Sequence, residues 1–141
     1  MIIERDFVRT LVERVGEPRN FIQILKGPRQ TGKTTALLQL KEKVTIPVLD
    51  AFASIDSSSR DWLRAKWIEA RNLAMEKSEA LLIVDEVQII DQWSSVVKEL
   101  WDEDTRNKIN LKVVLSGSSS QLLEQGVKGI LIGRFEMIQC A

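Results

Sequence analysis

One eight-residue string, residues 27–34, constrains this chain more than any other part of its sequence. It reads Gly-Pro-Arg-Gln-Thr-Gly-Lys-Thr, a spacing of glycine, lysine and threonine that builds a phosphate-binding loop between a strand and a helix. The flanks suit that context, because residues 21–25 form an apolar run of strand length and residues 33–44 place leucine and valine at helical spacing. The chain is therefore predicted to fold around a strand, a loop and a helix that bind phosphate.

The loop residues have distinct expected roles toward a nucleotide. Glycine lets the backbone wrap closely around a phosphate, and the exposed N–H groups and the positive end of the following helix attract the anion. Lys33 is expected to reach the β- and γ-phosphates, Thr34 to offer its hydroxyl to Mg²⁺, and Thr35 to touch the α-phosphate. We predict ATP and Mg²⁺ as ligands, with the nucleotide held by Gly27, Pro28, Arg29, Gln30, Thr31, Gly32, Lys33, Thr34 and Thr35.

A second group of candidate residues follows an apolar run at residues 80–84, which is typical of a buried parallel strand. Asp85 and Glu86 come directly after it, at the carboxyl edge where open α/β sheets bind their ligands. We predict that Asp85 holds Mg²⁺ and that Glu86 polarises the water attacking the γ-phosphate. An acidic pair after a strand is commonly a solvated loop, but its combination with a phosphate loop favours the catalytic interpretation.

Three further polar residues are candidates near the same chemistry. Ser116 and Ser118 follow a predicted strand at residues 111–115, and a hydroxyl there is placed to sense the γ-phosphate or to position water. A serine-glycine turn is equally a good turn with no further role. Arg134 follows Gly133 and is interpreted as a catalytic arginine, acting in cis or as a finger to a neighbour, with a plain surface charge as the alternative.

Strands and helices alternate along the rest of the chain. Helices are predicted over residues 6–15, 33–44 and 61–77, over a segment with Trp93, Val96, Val97, Leu100 and Trp101 on one face, and over 121–125. Strands are predicted over 21–25, 46–52, 80–84, 111–115 and 134–139. This order predicts an α/β fold, a three-layer αβα sandwich with a mostly parallel sheet. Pro47 suits a strand start or a sheet edge. Trp67, Trp93 and Trp101 fall on the apolar stripes of their helices, which indicates core packing rather than stacking on bases.

Composition narrows the classes of protein to consider. Lysine and arginine together number 20, as do aspartate and glutamate, so no overall positive field is available to hold a nucleic acid. Histidine is absent and Cys140 is the single cysteine, which argues against a disulfide framework or a cysteine-rich metal site. No apolar run approaches the roughly 20 residues that span a bilayer. We expect one cytoplasmic domain over residues 1–141 that makes no contact with a membrane.

Several of these strings occur in the same order in a known family. Residues 27–35, the string Asp85-Glu86-Val87-Gln88 with Trp93 after it, and residues 115–119 and 131–134 resemble the prokaryotic AAA-type ATPases whose nucleotide domain precedes a DUF4143 C-terminal region. The resemblance covers nearly the whole chain from about Phe7. It implies a P-loop NTPase fold of the additional-strand (ASCE, AAA-like) type. In that fold an extra strand lies between the phosphate-loop strand and the strand ending at Asp85.

The resemblance also bears on what surrounds the domain and on how it works. Family members usually continue beyond the Gly133-Arg134 pair into a proline-rich segment and a further domain, so the chain is expected to be the N-terminal part of a longer protein. We predict an ATPase core that hydrolyses ATP to ADP and phosphate. It is expected to be slow in isolation, because P-loop enzymes often need an arginine finger or a partner. A C-terminal domain, another protein or a second copy is the expected partner.

Three rival functions share part of this pattern. A nucleotide-regulated interaction module would bind ATP with little or no hydrolysis, and turnover separates it from an ATPase. A small-molecule or nucleoside kinase shares the phosphate loop, but the acidic pair at Asp85 and Glu86 favours attack by water. A GTPase is disfavoured because residues 107–110, Asn-Lys-Ile-Asn, lack the aspartate that reads guanine.

Overall fold

The computed structural model describes residues 6–27, 32–56, 58–118 and 120–140. In chain order the elements are α1 (Asp6–Gly16), β1 (Ile22–Lys26), α2 (Lys33–Lys43), β2 (Val48–Phe52), α3 (Arg60–Lys77), β3 (Ala80–Asp85), a 3₁₀ turn (Val87–Ile89), α4 (Trp93–Arg106), β4 (Leu111–Gly117), α5 (Ser120–Gly129) and β5 (Phe135–Gln139). All the helices and strands predicted from periodicity are present. The largest boundary difference is at α5, which ends at Gly129 and not at residue 125. Within these ranges no helix is long and apolar enough to cross a membrane.

The five strands in the described part of the chain form one parallel sheet, in the order β2-β3-β4-β1-β5. β4 lies between β1 and β3, which confirms the additional-strand arrangement. Because all strands run in the same direction, β1, β3 and β4 end side by side at one edge. The residues that follow these three strands are therefore brought together by the topology.

Helices cover both faces of the sheet, and each face has its own apolar cluster. On one face α1 and α2 pack against the sheet through side chains that include Leu11, Leu40 and Ile83. On the other face α3, α4 and α5 pack around Trp67, Trp93 and Trp101 together with sheet residues. The three tryptophans are at most 4% exposed, so the prediction that they are core residues is confirmed. The three-layer αβα sandwich is likewise confirmed.

The outer strand β2 shows how local chemistry sets an element boundary. It begins at Val48, directly after Pro47, and lies at one edge of the sheet. This position suits Pro47, which has no N–H to donate to a neighbouring strand. The following helix α3 is capped by Ser59, whose hydroxyl accepts a hydrogen bond from Trp62 N at 3.1 Å. A serine at this position satisfies one of the free N–H groups of the first turn.

Candidate nucleotide site at the carboxyl edge of the sheet

The candidate site lies where β1, β3 and β4 end. Gly27 follows β1, and its N–H donates to the carbonyl oxygen of Gly117 at the end of β4, at 3.4 Å. Glu86 follows β3, which lies on the other side of β4 from β1. Four predicted loop residues, Pro28, Arg29, Gln30 and Thr31, lie outside the described residues. The remaining predicted residues of the loop, metal and base groups are all found at this edge.

Gly32 makes the transition from the loop into α2. Its φ of 91° lies in the left-handed region, where a residue with a side chain is strained, so this position requires glycine. The carbonyl oxygen of Gly32 accepts the Ala36 N–H at 2.8 Å, which starts the helix at Lys33. Free N–H groups of the first helical turn and the helix dipole then favour an anion here. Thr34 and Thr35 are exposed on this first turn.

Lys33 and Glu86 form a buried ion pair. The Lys33 Nζ lies 3.1 Å from Glu86 Oε1, and the two residues are only 6% and 5% exposed. Removing two charges from water costs free energy that mutual attraction offsets only with good geometry and further hydrogen bonds. The pair thus places the Lys33 ammonium group directly beside the Glu86 carboxylate, away from solvent.

Glu86 is held by further donors and by an unusual backbone. Its Oε2 accepts hydrogen bonds from Gln88 Nε2 at 2.6 Å and from Ser118 Oγ at 2.8 Å. Burial, the largest single influence, favours the neutral acid, but the bonds from Gln88, Ser118 and Lys33 together outweigh it, so the pKa of Glu86 lies below its ordinary value. The φ of Glu86 is 58°, a left-handed conformation that is uncommon for residues other than glycine and that Ser78, Gln92 and Lys108 also adopt.

Asp85 is oriented separately from Glu86. Its Oδ1 accepts the Glu86 N–H at 3.0 Å and the hydroxyl of Ser116, a residue that is fully buried. Asp85 also lines a cavity of about 150 Å³ together with Thr34. The two predicted metal ligands therefore face the same space. Ser116 contacts Asp85 and Ser118 contacts Glu86, so each predicted serine orients one carboxylate.

Arg134 is the one predicted site residue in the described chain that the structure does not bring to this edge. It precedes β5, and its carbonyl oxygen accepts the N–H of Ile22 at the start of β1. The five residue steps from Ile22 to Gly27, at about 3.3 Å each, separate this position from Gly27 by about 16 Å. Its guanidinium instead binds both carboxylate oxygens of Asp102 in α4, at 2.7 and 3.0 Å. The geometry therefore does not support a cis role for Arg134.

Gln88 is a site residue that spacing alone did not single out. It is 8% exposed and its amide contacts the carboxylate of Glu86. In the sequence, the string Asp85-Glu86-Val87-Gln88 contributes to the family resemblance but does not indicate a role for Gln88. Its role depends on the 3₁₀ turn at Val87–Ile89, which folds the side chain back toward the end of β3.

Comparison with known proteins agrees with this architecture. A family model for the AAA domain, designated AAA_14, matches residues 19–141. No curated protein matches the chain. Among solved structures, the chain is similar to the Walker-type ATPase of Pyrococcus abyssi, with 18% sequence identity and a TM-score of 0.72. The match covers 99% of this chain and 53% of the other, so the chain spans about half the length of that protein. At this identity the likeness shows the fold alone.

Proposed function

The chain belongs to the AAA domain family, and from that premise we propose that it is a P-loop ATPase core that binds Mg²⁺ and ATP at the carboxyl edge of the sheet and hydrolyses the γ-phosphate. One observation carries the proposal. The buried 3.1 Å contact between Lys33 Nζ and Glu86 Oε1 places a cation suited to phosphate beside a carboxylate suited to activating water. Lysine and glutamate are rarely buried this deeply in proteins unless they are paired.

The residues at this edge suit a polyphosphate. The left-handed Gly32 and the first turn of α2 offer backbone N–H groups and positive potential. Lys33 adds an ammonium group with three donor hydrogens and no acceptor. Among the described residues, Lys33 Nζ donates to one carboxylate oxygen, Glu86 Oε1. We infer that Lys33 exchanges this contact for phosphate oxygens when nucleotide binds.

That exchange has a consequence for Glu86. Its Oε1 is bonded to Lys33, whereas Oε2 is bonded to Gln88 and Ser118. When Lys33 turns to phosphate, Oε1 loses its partner while Oε2 keeps two. Glu86 therefore becomes available to water when nucleotide is present. This coupling would keep Glu86 from activating water when no nucleotide is bound.

In the proposed reaction Glu86 Oε1 accepts a hydrogen bond from a water molecule. The water oxygen forms a bond to the γ-phosphorus as the bond from that phosphorus to the bridging oxygen of ADP breaks. The water proton passes to Glu86 and then to solvent, which restores the carboxylate. The positive charge of Lys33 stabilises part of the negative charge on the transferring phosphoryl group. Burial raises the pKa of Glu86, but hydrogen bonds that include those from Gln88 and Ser118 hold it below its ordinary value, so the group that meets the water is the ionised carboxylate.

Thr34 and Asp85 are the residues that would hold Mg²⁺. Mg²⁺ prefers oxygen ligands and usually takes one or two from the protein, with water and substrate phosphate supplying the rest. A hydroxyl and a carboxylate facing one cavity fit that requirement. The ion, when bound, neutralises charge on the β- and γ-phosphates. Ser116 keeps Asp85 oriented through its hydrogen bond to Oδ1.

Replacing Asp85 by asparagine separates the metal site from the rest of the site. We expect Asp85→Asn to weaken binding of Mg²⁺-ATP by about tenfold or more, because a carboxylate ligand is lost, while affinity for metal-free ATP changes little. Calorimetric titrations of wild type and variant, each with Mg²⁺ and with a chelator, measure the difference. Equal losses in both conditions would show that Asp85 supports the loop and not the ion.

Turnover by a single chain is expected to be slow, because the proposed site includes no assigned arginine to neutralise charge on the γ-phosphate. A finger supplied by a second copy or partner is worth about a thousandfold or more in related chemistry. Arg134 lies at the opposite edge, is partly exposed and pairs with Asp102. We propose that it acts in trans if copies associate.

The rate should then be below about 1 s⁻¹ at low protein concentration and rise as concentration increases. Arg134→Ala should remove the rise without changing ATP affinity, and Asp102→Asn is the matched control, because it breaks the ion pair but keeps the arginine. A phosphate-release assay over a range of protein concentrations measures both effects. A fast, concentration-independent rate that Arg134→Ala leaves unchanged would rule out the trans role.

A further inference from the structure

Gly117 and Gln88 are packed against each other beside the proposed base. A Cβ atom on Gly117 would collide with Gln88 Oε1, and would lie 2.8 Å from Leu123 Cδ1. Among the described glycines, positive φ angles occur at Gly32 and Gly133 and not at Gly117. Glycine at position 117 therefore provides space for the glutamine amide, and the backbone of β4 does not require it.

The orientation of the Gln88 amide follows from its partner. Gln88 Nε2 lies 2.6 Å from Glu86 Oε2, and an ionised carboxylate only accepts hydrogen bonds. The nitrogen must therefore face Glu86, which leaves the oxygen facing Gly117. Within the described residues Gln88 Oε1 is buried without a hydrogen-bond partner. Burying Gln88 Oε1 without a partner costs free energy, and the hydrogen bond from Gln88 Nε2 to the charged Glu86 carboxylate offsets that cost.

We propose that Gln88 is a positioning residue for Glu86, fixing Oε2 so that Oε1 alone is presented to water, and that Gly117 preserves the space this requires. The proposal rests on the proposed function, since it assigns how the base of that reaction is oriented. Gln88 acts through Glu86, and no contact of its own with the reacting atoms is implied.

The two oxygens of Glu86 are held unequally, and that asymmetry supports the assignment. Oε2 accepts hydrogen bonds from Gln88, shortly after β3, and from Ser118, directly after β4. Oε1 accepts a hydrogen bond from Lys33. Once Lys33 moves to phosphate, the two donors on Oε2 are what prevent the carboxylate from rotating. A base must lie within hydrogen-bond reach of the proton it accepts, so rotation away from the water would lower the rate without altering nucleotide binding.

Gln88→Leu and Gly117→Ala test this contact from its two sides. Leucine removes the donor, and the added methyl at 117 displaces the amide, while the atoms it meets first are the flexible ends of Gln88 and Leu123. Both variants should lower the single-turnover rate of ATP hydrolysis by about tenfold to a hundredfold and leave the Kd for ATP unchanged. Gln125→Leu, at an exposed glutamine on α5, is the matched control and should change neither.

Comparison with Glu86→Gln keeps the positioning role and the ATPase proposal apart. If Glu86→Gln leaves the single-turnover rate unchanged, the ATPase proposal is wrong. If Glu86→Gln removes hydrolysis while Gln88→Leu and Gly117→Ala leave the rate unchanged, the positioning role alone is overturned.

The double variant gives the sharpest discrimination. If Gly117 acts only by leaving room for the Gln88 amide, adding Gly117→Ala to Gln88→Leu should lower the rate little further, because mutations acting through one contact are not additive. Fully additive losses would contradict the proposal, as would an unchanged single-turnover rate in either single variant. Should Gln88→Leu fail to fold, Gly117→Ala and Gln88→Ala provide the same comparison of rate and Kd.

Discussion

Lys33→Ala is expected to weaken ATP binding by about a hundredfold or more, to the limit of calorimetric detection. Truncating one partner of a buried charged contact typically costs about 2–5 kcal/mol, and every 1.4 kcal/mol is about tenfold in affinity. Lys33 is 6% exposed and is the first residue of α2, and we predict that it contacts the β- and γ-phosphates. Its ammonium group is therefore expected to contribute strongly to binding once it contacts phosphate.

The fold should survive this substitution. Glu86 loses Lys33 but keeps its bonds from Gln88 and Ser118, so its carboxylate still has two partners. Lys43→Ala is a matched control on the same helix, because residue 43 lies ten positions further along α2, about 15 Å away along the axis, and is exposed. Thermal unfolding without nucleotide should show a folded variant, and added ATP should raise the melting temperature of wild type and Lys43→Ala only. Normal ATP affinity in folded Lys33→Ala would remove the assigned site.

Glu86→Gln is expected to reduce the rate of hydrolysis by about a hundredfold to ten-thousandfold, the range that a positioned general base contributes. Nucleotide binding should stay near normal, because glutamine has nearly the same shape and its amide oxygen can still accept a hydrogen bond from Lys33. Separating the two quantities matters here. Loss of binding in this variant would mean that Glu86 is needed mainly as the partner that holds Lys33.

A single-turnover assay with protein in excess over γ-labelled ATP measures the hydrolysis step even when steady-state turnover is slow. Glu79→Gln is a suitable control, because Glu79 stands just before β3, at the opposite end of the strand from Glu86. We expect wild type and Glu79→Gln to release phosphate and Glu86→Gln to release little. Equal and negligible release in all three proteins, with intact binding, would instead favour the nucleotide-regulated interaction module.

The fold was predictable because its signals are local and agree with one another. Leu11 and Val15 repeat at helical spacing, residues 80–84 are continuously apolar, and strands alternate with helices, which together favour a parallel sheet. The position of β4 between β1 and β3 is not predicted by such local signals. Periodicity does not specify which strands become neighbours, so that part depended on the family resemblance.

The members of the candidate site were predictable for a related reason. A phosphate loop that follows one parallel strand and an acidic pair that follows another lie at the same edge of the sheet. They come together when the two strands are close neighbours in that sheet. Thr34 and Asp85 accordingly line one cavity. Their chemical roles remain predictions, since the experiments on Lys33, Asp85 and Glu86 test them.

Contacts between side chains from distant segments were not predictable. The bond from Ser116 to Asp85 joins residues 31 positions apart, and that from Arg134 to Asp102 joins residues 32 apart. Arg134 shows the difficulty most clearly. It precedes a strand, and a residue before a parallel strand lies at the edge opposite to one that follows a strand. Assigning it to the site in cis overlooked that direction.

We propose that, when nucleotide binds, the Lys33 ammonium group leaves Glu86 Oε1 and contacts phosphate oxygens instead. A crystal structure of the wild-type protein with the β,γ-imido analogue of ATP and Mg²⁺ tests it most directly, because both contacts of the Lys33 ammonium are visible in one experiment. We predict phosphate oxygens within hydrogen-bond distance of Lys33 Nζ, Mg²⁺ between Thr34 and Asp85, and Glu86 Oε2 still bonded to Gln88 and Ser118. Nucleotide bound elsewhere, or bound here with the 3.1 Å contact between Lys33 and Glu86 unchanged, would contradict the account.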